Sequence, residues 1–533
     1  MTENKPIVYE DTSKYDATAL TKQLSADEEY DNTSSTSTNS SPNIDLSDEA
    51  TQHELDRIYR KLDLRIIPPL WCMYFLTSMG SSLYGNALTM NRETGDSLRL
   101  QLGLSAHDTS TASALYYVGY IIFDVPMNLA MTRLAPQTWL SRIVITVGLV
   151  YACYGALSTA GGVIAIRLIS GICGAGTWPG LAYYISLWYP AHRTARRIGY
   201  YFTAAQVSAS VAGLIAAGFQ RMNNDRGMSG WQWMFLIYGV VTIVVGISLI
   251  WWLPDRPIPV FNNNDDDSNN NNNNKRSKAS KFLDSLTVRQ RPILTEAEQA
   301  LHQADMKGRY LNVSWTLKDL WKVFIDFRIW PLVIMYFGVV GTGYGIVVFG
   351  TTILTTINGK WSSVTLSLLM APIWMCDLIA ILFVTPFSDK FRRWRGTVFS
   401  ASTVVIIVGM VVTTYAPRQW PRYGGLLITG FGLGPTVPIC MTWAAEIFGP
   451  RHGDVGTAAS AALVSGLGNL GSVTTTYALY TGWPRDVKRG FEYSNMVVVA
   501  ILGISILSAA ICALTSGSVR FPGVSRVKKS ANV

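Results

Sequence analysis

The chain has 533 residues, 49% of them hydrophobic and only 15% charged, with a formal net charge of +9. Soluble domains carry charge on roughly 25% of their residues. Here charge collects in the N-terminal part, in a central stretch and in short clusters between apolar runs. That distribution excludes an ordinary cytosolic enzyme, a disordered scaffold and a nucleic-acid binder. The basic excess reads instead as Lys and Arg in cytoplasmic loops, because no basic stretch is interleaved with aromatics.

Residues 1–65 open the chain as a polar stretch rich in Ser, Thr and Asn, with no apolar core behind Met1. This is not the pattern of a signal peptide, and the stretch is predicted to be a disordered cytoplasmic tail. Apolar segments follow at 66–88, 112–132, 139–158, 162–187, 199–219 and 231–253. Residues 254–328 are polar again and contain the run Asn262–Asn264, Asp265–Asp267 and Asn269–Asn274, which cannot build a core. Within this region Thr295-Glu296-Ala297-Glu298 has the capping-box pattern that starts a short amphipathic helix. Six more apolar segments follow at 329–356, 363–386, 397–415, 423–446, 455–480 and 494–516, and 517–533 is a C-terminal tail.

Each apolar segment is long enough to cross ~30 Å of hydrocarbon as a helix. A lone apolar stretch must satisfy its own backbone groups, which leaves helix as the solution. The expected fold is therefore an all-α membrane protein with twelve transmembrane helices. They form two pseudo-symmetric six-helix bundles, 66–253 and 329–516, joined by a long cytoplasmic loop. An even number of spans puts both termini on one side. The clusters Arg57/Arg60/Lys61/Arg65 and Arg520/Arg526/Lys528/Lys529 make that side the cytoplasm.

The six cysteines lie inside apolar runs without metal-ligand spacing, and there is no HExxH, Walker loop or GxSxG. The chain is expected to need no metal or cofactor and to catalyse no bond-making reaction. Attention falls on charges inside hydrocarbon, each of which costs several kcal/mol and needs a reason. Arg167 in the fourth segment cannot lose its proton. It is a fixed positive charge for an anionic substrate or for a carboxylate partner such as Asp124. Asp377 is mid-way along the eighth segment, ~18 Å of helix from Asp389, and suits proton coupling. Asp124, two residues before Pro126, is a third candidate, with a structural role as the alternative. Gln206 and Asn469 are placed as polar cavity groups, and Trp178, Tyr344 and Trp374 as apolar walls.

Several motifs resemble one fungal family. They are Leu115-Tyr116-Tyr117-Val118-Gly119-Tyr120 followed by Asp124-Val125-Pro126-Met127-Asn128, then Ile166-Arg167, Ser186-Leu187-Trp188-Tyr189-Pro190 and Gly230-Trp231-Gln232-Trp233-Met234-Phe235. In the second half, Ser388-Asp389-Lys390 with Arg392-Arg393 resembles the inter-span motif of major facilitators. The chain is thereby similar to the allantoate permease branch of the major facilitator superfamily, whose relatives carry pantothenate, biotin, nicotinate and allantoate. The resemblance implies that Arg167 is the family's fourth-span arginine and that Asp389, Arg392 and Arg393 serve gating. It also marks departures: Gly80 and Ser81 stand where relatives place an Asp and a basic residue, and Gly174 stands where they place Glu.

The expected function is import of a small organic anion by proton symport and alternating access, by a monomer in the plasma membrane. Its partners are the anion, protons and the bilayer, with no nucleic acid. The alternatives are a drug or metabolite efflux antiporter and a non-transporting nutrient sensor of the same fold.

Overall fold

The structure is a computed structural model that describes residues 49–255, 257, 293–306, 317–480, 483–487 and 489–515. The Asn/Asp run, the C-terminal tail and all but the end of the N-terminal tail lie outside these residues. Among them every regular element is helical. The N-terminal half contains α1 (Glu49–Ala87), α2 (Ala106–Arg133), α3 (Pro136–Tyr154), α4 (Ala160–Gly174), α5 (Thr177–Trp188), α6 (Ala191–Phe219) and α7 (Gly230–Trp252). Then come α8 (Glu296–Asp305) and α9 (Leu317–Ile325). The C-terminal half contains α10 (Ile329–Ile357), α11 (Ser363–Lys390), α12 (Arg395–Tyr415), α13 (Gln419–Gly468), α14 (Leu470–Ala478) and α15 (Glu492–Thr515).

The chain divides into two compact units. Among the described residues, the smaller comprises 49–62 and 293–306. In it, α8 starts at a capping box: Thr295 Oγ1 accepts from the Glu298 amide, and Glu298 Oε2 accepts from the Thr295 amide at 2.8 Å. Lys61 Nζ lies 2.9 Å from Glu298 Oε2, and the Tyr59 ring meets His302 edge-on at 5.7 Å.

The larger unit holds the membrane helices. Eight helical stretches among the described residues are long and apolar enough to cross a membrane, with α4 and α5 counting as one. The others pack onto these: α2 against α4, and α3 against α7. In the second half α13 packs against α10, α11 and α12, and α10 against α15. Small residues allow the closest approaches. A Cβ on Gly409 would sit 2.6 Å from the Gly425 carbonyl oxygen, and one on Gly425 2.6 Å from that of Gly409, so neither helix of this pair tolerates a side chain there.

Three predicted segments differ from the structure. The fourth, 162–187, is not one helix. It breaks after Gly174, where Ala175 is extended (ψ 145) and Gly176 takes φ +80. That conformation favours glycine. The tenth, 423–446, and the first part of the eleventh, 455–480, are joined in the continuous helical run α13, and the eleventh goes on into α14. The run is not straight. The Cys440 thiol is 3.6 Å from the Leu332 carbonyl oxygen, while Gly468 lies against the Tyr336 ring. Leu332 and Tyr336 are one turn apart, whereas a straight helix from 440 to 468 would span about 42 Å. The chain therefore turns back within α13 and makes two antiparallel passes. The architecture is an all-α membrane protein of twelve spans in two six-helix bundles.

Candidate functional site

A cavity of about 180 Å³ lies between the two halves. α1, α2, α5, α6 and the last residue of α4 line it from one half, and α10, α11 and α13 from the other. Its wall is mostly aromatic. Trp178 stands at the centre of one cluster, with ring centroids 5.6 Å from Tyr74, 5.5 Å from Tyr201 and 5.1 Å from Phe202. Tyr117 and Tyr344 meet across the halves at 4.8 Å. Trp374, Gln206 and Asn469 complete the set of lining candidates read from the sequence, and Asn469 sits at the junction of α13 and α14. Rings of this kind offer a flat, apolar substrate extended contact while their polar tips remain available for hydrogen bonds.

Asp377 is the one charged side chain among the described lining residues. It is 2% exposed, its Oδ1 has no hydrogen-bond partner, and the Gln206 side chain faces it. Gly434 makes this placement possible, since a Cβ there would come within 2.7 Å of Asp377 Oδ1.

Arg167 lies just behind the wall and does not line the cavity. It is 0% exposed, with its guanidinium carbon 4.0 Å from the Tyr84 ring centroid and 4.6 Å from that of Tyr116. Among the described residues none of its three side-chain nitrogens has a hydrogen-bond acceptor; the Tyr154 hydroxyl is beside it without a well-formed bond. Aromatic faces stabilise a desolvated guanidinium by about 2 kcal/mol, well short of what a buried cation loses on leaving water. Arg167 thus carries an unmet demand for an anion.

Asp124 is not that anion. Its Oδ1 accepts the Gly176 amide at 3.0 Å, and it is 1% exposed. Gly176 is the N-cap of α5, so this carboxylate fills the role that a capping side chain plays at a helix start. Asn128 Nδ2 in turn donates to the Asp124 carbonyl at 2.8 Å. Asp124 and the break in the fourth span are one structural device, set beside the cavity rather than in its wall.

Asp389 ends α11 one residue before its last, and Arg392 and Arg393 lie in the short 3-10 turn that follows. Arg393 is exposed; the side chains of Asp389 and Arg392 lie outside the described residues. This group is at the end of α11, away from the cavity. Of the positions that depart from the resembled family, Ser81 and Gly174 line the cavity. Gly80 is filled from outside: a Cβ there would lie 2.1 Å from Tyr151 Cζ, and Tyr151 is buried among Tyr154, Phe235 and Tyr238.

Sequence reasoning missed the contact between halves beyond the C-terminal end of α1. Thr351 Oγ1 donates to the Gly85 carbonyl at 3.0 Å. Further out, Arg92 Nη2 donates to the carbonyls of Gly359 (2.8 Å) and Trp361 (3.0 Å), just past the end of α10. Glu93 accepts from the Ser363 amide at 2.9 Å and from its hydroxyl, at the first residue of α11. An adjacent cation and anion thus clasp the loop carbonyls between α10 and α11 and the amide-rich start of α11, where the anion is matched to the helix dipole. The only sequence signal was two opposite charges side by side in a connecting loop.

Burial alone would raise the Glu93 carboxyl; the bonds from Ser363 and the charge of Arg92 outweigh it and hold the group below the usual carboxylate range. A lowered value means the charged clasp is complete near neutrality and is lost only as pH falls through that value. Glu93→Ala removes charge-assisted bonds that, screened by solvent at this half-exposed side chain, contribute about 1 kcal/mol, a shift of roughly fivefold toward separation at this end. The check is labelling of a Ser82→Cys variant by an impermeant thiol reagent applied from this side. Labelling should quicken by about that factor with Glu93→Ala, and an unchanged rate would exclude the clasp.

A sequence profile described as Major Facilitator Superfamily matches residues 70–473. The chain is 44% identical over 476 residues to Vitamin H transporter 1 of Schizosaccharomyces pombe, covering 87% of this chain and 81% of the relative. It is 25% identical over 466 residues to a putative tartrate transporter of Agrobacterium vitis, covering 86% and 95%. Among solved structures, the inward-facing, occupied form of a bacterial homologue of the human lysosomal transporter Spinster superposes with TM-score 0.60 at 15% identity, covering 86% and 98%. That likeness concerns the fold.

Proposed function

Because the chain belongs to the Major Facilitator Superfamily, we propose that it imports a small organic anion, a vitamin or carboxylate nutrient, together with protons and by alternating access. The observation that carries this reading is Arg167, a wholly buried cation without an anionic partner, next to a cavity whose one lining charge is Asp377. A substrate carboxylate meets the demand of Arg167, and the aromatic wall takes an apolar body. Asp377, desolvated and only partly hydrogen-bonded, is the group that binds and releases the coupling proton.

The named substrates of the relatives, vitamin H and tartrate, are both organic acids, which supports the same class here. We assign the protein to the plasma membrane as a monomer with both termini in the cytoplasm. In that orientation the Arg92–Glu93 clasp is external, and Asp389, Arg392 and Arg393 are at the cytoplasmic gate. The test is an uptake screen of labelled vitamin H, other vitamins and small carboxylates, at two external pH values, in cells lacking their own carriers. Saturable uptake of a carboxylate, greater at the lower pH, is expected. Uptake confined to neutral or cationic compounds would overturn the reading.

A further inference from the structure

Arg167 raises a difficulty for its own function. A cation behind a wall binds nothing until the wall moves. The obstruction is Tyr116, whose ring lies against the guanidinium at 4.6 Å while the same residue lines the cavity. Tyr84 covers another face of the guanidinium but is wholly buried and does not line the cavity, so it is a fixed plate.

The helix face opposite Tyr116 explains how one ring can be both held and free. Arg167, Gly171 and Gly174 stand at i, i+4 and i+7 along α4 and share a face. Gly171 presses on the Tyr116 backbone: a Cβ at 171 would fall 2.0 Å from the Tyr116 carbonyl oxygen. The base of Tyr116 is therefore pinned. At Gly174 the reverse holds. A Cβ there would meet only the Tyr116 hydroxyl, at 3.8 Å, with nothing else within 4 Å, and Gly174 itself faces the cavity. Open space thus lies at the tip of a side chain whose root is fixed and whose face covers an unpartnered cation.

We propose that Tyr116 is a positioning residue that screens Arg167 while the cavity is empty and tilts into the open space over Gly174 to admit a substrate carboxylate. The proposal rests on the reading of Arg167 as the anion site. Without a carboxylate, the ring contact is the better state, because it shields the guanidinium with a π face. With one, a charge-assisted pair replaces it. A neutral ligand of the same shape gains nothing from the movement, so the ring adds selectivity for anions. Its cost is a lowered apparent affinity, since only the fraction of molecules with the ring displaced is competent to bind.

The test is binding of labelled vitamin H and of its uncharged amide to the purified full-length protein. Gly174→Leu fills the receiving space. It should weaken acid binding by about tenfold or more relative to amide binding. Tyr116→Phe keeps the ring and should keep the wild-type ratio of acid to amide binding. Adding Tyr116→Ala to Gly174→Leu removes the screen and should restore acid binding, a rescue that a purely structural role of Tyr116 does not give. Equal loss of acid and amide with Gly174→Leu, or no rescue, overturns the proposal. Arg167→Met separates the two layers of inference. If it loses acid binding while Gly174→Leu keeps it, the anion site stands and the screen falls; if Arg167→Met binds the acid as wild type does, the anion site falls as well.

Discussion

Arg167→Met loses uptake of the carboxylate substrate without losing the fold. Truncating one partner of a buried charge pair costs about 2–5 kcal/mol or more, so substrate affinity should fall by roughly thirtyfold to several thousandfold. Stability should move the other way or not at all. The guanidinium is fully buried with no acceptor on its three nitrogens, and replacing an uncompensated buried charge by an apolar group of similar length is neutral or stabilising. The combination is diagnostic: a thermal midpoint in detergent at or above that of wild type, with uptake gone. A lowered midpoint with intact uptake would make Arg167 a structural residue. Arg167→Lys should recover only part of the activity, because an ammonium lacks the planar fork that grips a carboxylate and stacks on Tyr84 and Tyr116.

Asp377→Asn uncouples transport from the proton gradient. Asparagine has nearly the same volume, so it fits against Gly434 and Gln206 as aspartate does, but it cannot take up or release a proton. With one proton per monovalent anion, wild-type protein should accumulate substrate about tenfold per unit of pH difference. The variant should bring substrate only to equal concentrations on both sides, while exchange of labelled for unlabelled substrate continues. Accumulation that still follows the pH gradient would remove Asp377 from the coupling step and leave its burial unexplained.

How much of this was legible from residues alone follows from what each signal depends on. Hydropathy reads the spans because lipid crossing is a property of local composition, and rarity singles out Arg167 and Asp377 because charge in hydrocarbon is costly. The break at Ala175–Gly176 leaves no mark on hydropathy: it is a backbone event inside an apolar run. Its partner, Asp124, is in another helix, so the charge was visible and its capping role was not. The reversal inside α13 escaped for a similar reason, since helical backbone continues through a stretch that the two apolar segments divide. The aromatic wall depends on which faces of several helices meet, and Tyr116 could be read as part of a motif but not as the cover of Arg167. Arg92 and Glu93 became meaningful only once Gly359, Trp361 and Ser363 were brought to them from the other half.

The fit of Tyr151 against Gly80 constrains how this chain can change. An acidic side chain introduced at position 80 alone would collide with a ring that is hemmed in by Tyr154, Phe235 and Tyr238 and has nowhere to go. The charged arrangement typical of the resembled family is therefore not one mutation away. Restoring it requires shrinking residue 151 first, a step that opens a hole in the bundle and brings no benefit until the second change arrives. The two positions are coupled: as long as tyrosine stands at 151, any side chain at 80, charged or not, meets its ring.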